Sequence, residues 1–310
     1  MRAIGLVCLA GALWGTVGVA TDMMSDGASL DPTFYALSRT FVGAAILLAA
    51  VLILRLGPSR GDVPWHFLAL FGFAGAVFQT TLFASYVAIG VTVTVVITAC
   101  LPIVLVAIGD AVWAKRIPEP WIAGAMLTAA AGVVLVGFGS ADHAAGVGGG
   151  RRVWGLALGI TSACAFAVVA ATGRALGSRL DPLRAAGLGL ATTALTLAIF
   201  ECLRWMVLSG WESPLNVSLT LHDFLLLAYV GVVATGGAYL AFVAGLGLAR
   251  SASTGLAATL IEPAVAALLA AIILHEPMAA AERVGCVLIV AGMLALAQAE
   301  SRRALIARGA

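Results

Sequence analysis

The chain has 310 residues, 62% of them hydrophobic and 10% charged, with a formal net charge of +2. Soluble domains carry charge on roughly a quarter of their residues, so a water-exposed surface is excluded and an integral membrane protein is indicated. An open sheet would leave backbone groups unpaired in lipid, which makes the fold class all-α.

A spanning helix needs roughly 20 apolar residues. Ten candidates follow in chain order, at about 3–21, 33–54, 65–88, 91–113, 121–138, 153–173, 183–207, 222–247, 251–274 and 282–299. The first lacks a small-residue cleavage site and reads as a retained helix. Residues 141–152, with Gly146 and Gly148 to Gly150, read as a linker between a first unit (1–140) and a second (153–299), and 300–310 as a basic tail. Cys8, Cys100, Cys164, Cys202 and Cys286 all fall in apolar runs without CxxC spacing, so neither a disulfide nor a metal site is expected. The basic residues sit in loops and imply no nucleic-acid partner.

Loop charge sets orientation. With the N-terminus inside, twelve Lys and Arg fall on the inner side, and only Arg151, Arg152 and Arg283 on the outer. Both termini are therefore expected to be cytoplasmic, in a cell membrane crossed ten times. Five helices per half means that the second half enters from the opposite side, so the halves are inverted repeats, as in many secondary transporters. Thr98, Pro102 and Gly124 map onto Thr259, Pro263 and Gly285 at one constant offset. Asp31-Pro32 and Asp181-Pro182 precede segments 2 and 7, and Gly11-x-x-x-Gly15 is echoed by Gly155-x-x-x-Gly159.

Pro102 and Pro263 each remove a backbone donor, freeing the carbonyls of Thr98 and Thr259 one turn earlier. In mid-bilayer those carbonyls need a side chain, water or ligand. Paired at matching depth, they suggest the wall of a substrate cavity rather than two static kinks. Glu262 is the deepest acid. Burying its carboxylate costs at least ~2.5 kcal/mol on the most lenient scales, so two readings stay open: it binds a substrate ammonium or exchanges a proton, or it is neutral and ties helices together. Gln79, Phe83 and Tyr86 share one face at i, i+4, i+7, and Thr235, Tyr239 and Phe242 repeat the spacing. Such faces suit an organic substrate with an apolar or aromatic body, although for Phe83 and Phe242 packing is the preferred reading. Trp14 divides between cavity and core.

Arg39 is expected to snorkel outward or to pair with Asp22 or Asp26, rather than to bind a carboxylate. Asp110 is expected to form an interfacial salt link with Lys115 and Arg116, and Glu201 to pair with Arg204. Trp65, Trp113, Trp121, Trp154 and Trp205 fall near helix ends as interfacial anchors. His66, His143, His222 and His275 are scattered, and no nucleophile motif, zinc motif or Walker loop occurs, so no enzyme, metal or cofactor is expected.

Thr259-Leu-Ile-Glu262-Pro263 through Leu274-His275-Glu276, followed by Gly285-x-x-Leu288-Ile289-x-x-Gly292, resembles the C-terminal hallmark of EamA-type members of the drug/metabolite transporter superfamily. Leu13-Trp14-Gly15 and Arg39 are further matches, and the resemblance covers essentially the whole chain. Lys115 stands where the second half has Glu276, which argues against a symmetric role for that pair. The resemblance implies ten helices, a central cavity between segments 3, 4, 8 and 9, and export of amino acids and other small metabolites, some aromatic. Carried onto this chain, that cavity includes Gln79, Phe83, Tyr86, Thr98, Pro102, Thr235, Tyr239, Thr259, Glu262 and Pro263. The expected function is export of amino acids, hydrophobic or aromatic ones included, and related small metabolites by alternating access through a midplane site, proton-coupled or not, in an oligomeric state compatible with a monomer. Multidrug or lipid-linked sugar translocation is the alternative within this architecture; an intramembrane enzyme or sensor is the alternative outside it.

Overall fold

Apolar length dominates the architecture: among the described residues, ten helices are long and apolar enough to cross a membrane. They are α1 (Arg2–Asp22), α2 (Pro32–Ile53), α3 (Trp65–Ile89), α4 (Val91–Trp113), α5 (Pro120–Gly139), α6 (Gly149–Gly177) and α7 (Pro182–Leu208). After them come α8 (Leu221–Leu248), α9 (Ala252–Ile273) and α10 (Ala280–Gly309). This computed structural model describes residues 2–24, 31–56, 63–113, 119–139, 149–208, 220–249, 251–275 and 278–309. Asp26, Lys115, Arg116, His143, Gly146, Gly148 and Glu276 lie outside them. Helix α6 begins at Gly149, inside the stretch read as linker, and α10 continues through the basic tail.

Local chemistry explains where the helices start. Asp31 caps α2, accepting from the backbone of Thr33 and Phe34 at 3.0 and 3.3 Å, with Pro32 in the first turn. Asp181 does the same for α7, accepting from Leu183 N at 3.0 Å. The repeated Asp-Pro pair is thus a repeated helix start. Thr220 and Asp223 form a reciprocal capping box at α8. Gly90, at φ +85°, makes the tight joint between α3 and α4 that an L side chain would resist.

Packing follows the inverted repeat. Exchanging the two halves carries the α3–α6 contact onto α8–α1 and the α4–α6 contact onto α9–α1, and maps α2–α7 and α5–α10 onto themselves. The fold is therefore two inverted five-helix repeats around a central cavity. Two of the repeat's helices depart from a regular spiral. Helix α8 contains a π-helical segment, Val232–Gly237, and α9 is interrupted by a 3-10 turn, Ala258–Leu260. Pro263 lies in the first turn of the helix that resumes after it, where its missing N–H costs no helical hydrogen bond. Pro102, by contrast, lies within one uninterrupted helix. The two prolines are equivalent in register but not in local geometry.

Small residues set the closest approaches. A Cβ on Gly132 would lie 2.6 Å from Gly285 O, and one on Gly285 would lie 2.6 Å from Gly132 O, so α5 and α10 cross backbone to backbone. Gly124, which shares the repeat register with Gly285, faces nothing within 4 Å. The partner of Gly285 across the helix pair is Gly132. We expect Gly132→Leu to destabilise the purified protein by about 1–3 kcal/mol through overpacking against rigid backbone. Gly124→Leu should stay within about 0.5 kcal/mol of wild type or gain from helix propensity. Equal melting temperatures for the two variants in detergent would contradict this packing.

Candidate functional site

Helix α1 meets α9 where α9 is interrupted. A Cβ on Gly11 would lie 3.0 Å from Thr259 O, and one on Gly15 would lie 2.7 Å from Glu262 O. The two glycines let α1 lie directly on the backbone of the 3-10 turn and of the helix that resumes after it. The echoed pair on α6 does the same elsewhere: Gly155 packs on Ala88 and Ile89, and Gly159 on Ser85 and Ile97.

Beside this contact lies a cavity of about 720 Å³, lined from α1, α2, α3, α4, α6, α8 and α9. Trp14, Phe78, Phe166 and Tyr239 are among its lining residues at mid-span, and Asp22 and Met24 lie at its rim where α1 finishes. No lining residue comes from α1 before Trp14, from α4 after Ala99 or from α9 before Thr259. The cavity therefore reaches one end of the bundle, here the far end, and stops at half depth. Its floor is aromatic. Trp14 meets Tyr239 at 5.4 Å, Phe166 at 6.0 Å and the fully buried Phe242 at 5.2 Å between ring centroids, and Phe166 stacks on Phe78 at 4.7 Å.

Polar cross-links tie helices together towards the near end, where α1 begins. The Asp110 carboxylate on α4 accepts from Ser253 N at 3.0 Å and Ser253 Oγ at 2.7 Å at the start of α9. Asp110 thus has a definite partner on α9, while Lys115 and Arg116 lie outside the described residues. The Arg174 guanidinium donates to Ala249 O, and Arg184 donates to Leu56 O at 2.7 Å.

Of the eleven candidate residues, eight line the cavity: Trp14, Phe83, Tyr86, Thr98, Tyr239, Thr259, Glu262 and Pro263. Thr98 and Thr259 turn their hydroxyl protons back onto their own helices, to Thr94 O at 2.9 Å and Leu256 O at 2.8 Å. Among the described residues no side chain pairs with the Glu262 carboxylate. Gln79, Pro102 and Thr235 lie off the cavity wall. Thr235 is 1% exposed, and its hydroxyl has no hydrogen-bond partner. The reason is its π-helical turn, which adds a residue per turn and breaks the regular i, i+4 face that would join it to Tyr239.

Arg39 corrects the expectation of outward snorkelling. It lines the cavity, donates from Nη2 to Gln79 Oε1 at 2.9 Å, lies 6.0 Å from the Phe83 ring centre, and makes no ion pair with Asp22. The sequence held a signal for this: the helical neighbours of Arg39 are Tyr35, Ala36, Val42 and Gly43, so its partner had to come from another helix. Tyr35, Phe78 and Phe166 also line the wall, and no feature of their spacing marks them. One turn before Tyr35, Asp31 fixes the start of α2 against α7 through Arg204 at 3.2 Å, and Arg204 also holds Glu201 at 2.8 Å. Partial burial pushes the Asp31 carboxyl up. Hydrogen bonds from the Thr33 side chain and backbone, the Arg204 charge and the Phe34 amide outweigh it and hold the group below its ordinary range.

The EamA-like transporter family matches the chain twice, over residues 1–138 and 153–298. Among curated proteins, the uncharacterized transporter YwfM of Bacillus subtilis (strain 168) is 26% identical over 299 residues, spanning 96% of this chain and 94% of that protein. One solved protein crystal structure superposes with a TM-score of 0.75 over 97% of this chain and 98% of its own, at 20% identity, and so bears on the fold alone.

Loss of the Asp31 cap by substitution with Ala should cost about 1 kcal/mol at pH 7. Because the folded carboxyl is held low, its contribution is complete above the unfolded value of about 3.9 and disappears as the pH falls through the folded value. The melting-temperature gap between wild type and Asp31→Ala should therefore narrow below about pH 4. A gap that stays constant down to pH 3 would contradict the assignment.

Proposed function

The chain belongs to the EamA-like transporter family, and from that premise we propose that it carries amino acids, hydrophobic and aromatic ones foremost, out of the cell. One observation carries the reading: an acid and a guanidinium, Glu262 and Arg39, share a cavity walled by aromatic rings. A zwitterion satisfies both charges at once, its ammonium at Glu262 and its carboxylate at Arg39, while Trp14, Phe78, Phe166 and Tyr239 receive its side chain. The volume suits a small metabolite. A lipophilic cation would leave Arg39 unpaired in a dehydrated site, which disfavours multidrug transport.

Loop charge supports a cytoplasmic position for both termini in the cell membrane. In that orientation the cavity opens outward, and the near end, with its Asp110–Ser253 contact, is the cytoplasmic seal. Alternating access then requires this seal to part while the far end closes over the substrate. Export down an outward gradient of a cytoplasmic amino acid needs no coupling ion, so Glu262 serves here as the ammonium ligand.

Counterflow of labelled phenylalanine in proteoliposomes tests the proposal. Each charge-assisted contact is worth about 1.5–3 kcal/mol, so Glu262→Gln and Arg39→Gln should each weaken phenylalanine recognition about tenfold or more. Absence of phenylalanine counterflow together with counterflow of labelled tetraphenylphosphonium would reject an amino-acid carrier. An unchanged pH profile in Glu262→Gln would show that the residue carries no coupling proton.

A further inference from the structure

The wall residue with the strongest charge is held by a residue behind the wall. Arg39 Nη2 donates to Gln79 Oε1 at 2.9 Å, and Gln79 Nε2 donates to Thr40 Oγ1 at 3.1 Å. The Thr40 hydroxyl in turn donates to Ala36 O at 2.6 Å. The direction of this chain is fixed by its last link. With its proton committed to a backbone carbonyl, Thr40 Oγ1 meets Gln79 as an acceptor, so the Gln79 amide presents nitrogen to Thr40 and oxygen to Arg39. Gln79 is 1% exposed and lies off the cavity, whereas Arg39 lines it. Both polar atoms of the primary amide thus have a partner within the protein, behind the wall that a substrate meets.

We propose that Gln79 is a positioning residue: a neutral acceptor that aims the Arg39 guanidinium into the cavity without discharging it, and so sets a requirement for a substrate carboxylate. The inference rests on the amino-acid reading above and assigns a further residue to its specificity. Neutrality is the essential property. An amide oxygen orients one N–H of the fork and leaves the net positive charge in place. A carboxylate at the same position would pair with the guanidinium bidentately and compete directly with the substrate. Arg39 Nε is buried with no partner, so the guanidinium is incompletely satisfied by the protein around it. A bound carboxylate would complete its electrostatic environment from the cavity side.

The test compares affinities of the full-length protein in detergent for phenylalanine and for phenethylamine, which lacks the carboxylate, by ligand-induced stabilisation. Wild type should prefer phenylalanine. Gln79→Glu should weaken phenylalanine about tenfold or more while changing phenethylamine by less than about threefold, erasing the preference. Gln79→Met keeps the volume without an acceptor and provides an apolar substitution at this buried position. It should weaken phenylalanine alone, by a smaller factor. Parallel weakening of both ligands in the variants would reduce Gln79 to a structural link between α2 and α3 and overturn the proposal, as would unchanged affinities for both. Absence of a preference in wild type would instead reject carboxylate recognition by Arg39, and both readings would fall together.

Discussion

The arrangement depends on how closely α1 lies against the interrupted stretch of α9. A helix broken at membrane depth exposes carbonyls that hydrocarbon cannot satisfy. Here the break is covered by another backbone: Gly11 and Gly15 present no side chain, so the carbonyls of Thr259 and Glu262 lie against the α1 surface. Any larger residue at Gly15 would meet Glu262 O at 2.7 Å and separate the two helices. Trp14, the neighbour of Gly15, is carried by the same contact to the centre of the bundle, where it touches three aromatic rings. The backbone contact, the acid beside it and the aromatic floor are consequences of one close approach.

That floor divides the bundle into unlike halves. On one side a cavity carries both signs of charge, and on the other the helices are joined by packing and a few directed hydrogen bonds. Several polar groups of the wall are committed to the protein, as with Thr98, Thr259 and the Tyr35 hydroxyl, which meets Thr21 Oγ1 at 2.8 Å. The Glu262 carboxylate at mid-span has no hydrogen-bond or ion-pair partner among the described residues. An unpaired acid and an aimed guanidinium in one low-dielectric space favour a ligand that brings both complementary charges.

Helix number and inverted duplication were legible because they are written in apolar length and in register, which survive any rotation of a helix about its axis. Rotation itself was not legible. Counting residues gives the depth of Arg39 on α2 but not its partner, which is Gln79 on another helix rather than the outer interface or Asp22. Thr235 shows another limit: its face was inferred from a regular helix, and the π-helical turn changes the angle between it and Tyr239. Gly124 and Gly132 show a third. Register alone marked Gly124, but the close contact with Gly285 belongs to Gly132. The Asp110–Ser253 bond joins two helices that sequence spacing cannot bring together.

That bond also breaks the twofold likeness of the halves. The offset that relates the two prolines pairs Asp110 with Ala271, and Ser253 with Thr92, so the clasp is not repeated at the equivalent positions. Two perfectly equivalent halves would give a molecule indifferent to which way it faced. In this chain the two halves differ at that position, which carries a carboxylate bonded to Ser253 in the first and an alanine in the second.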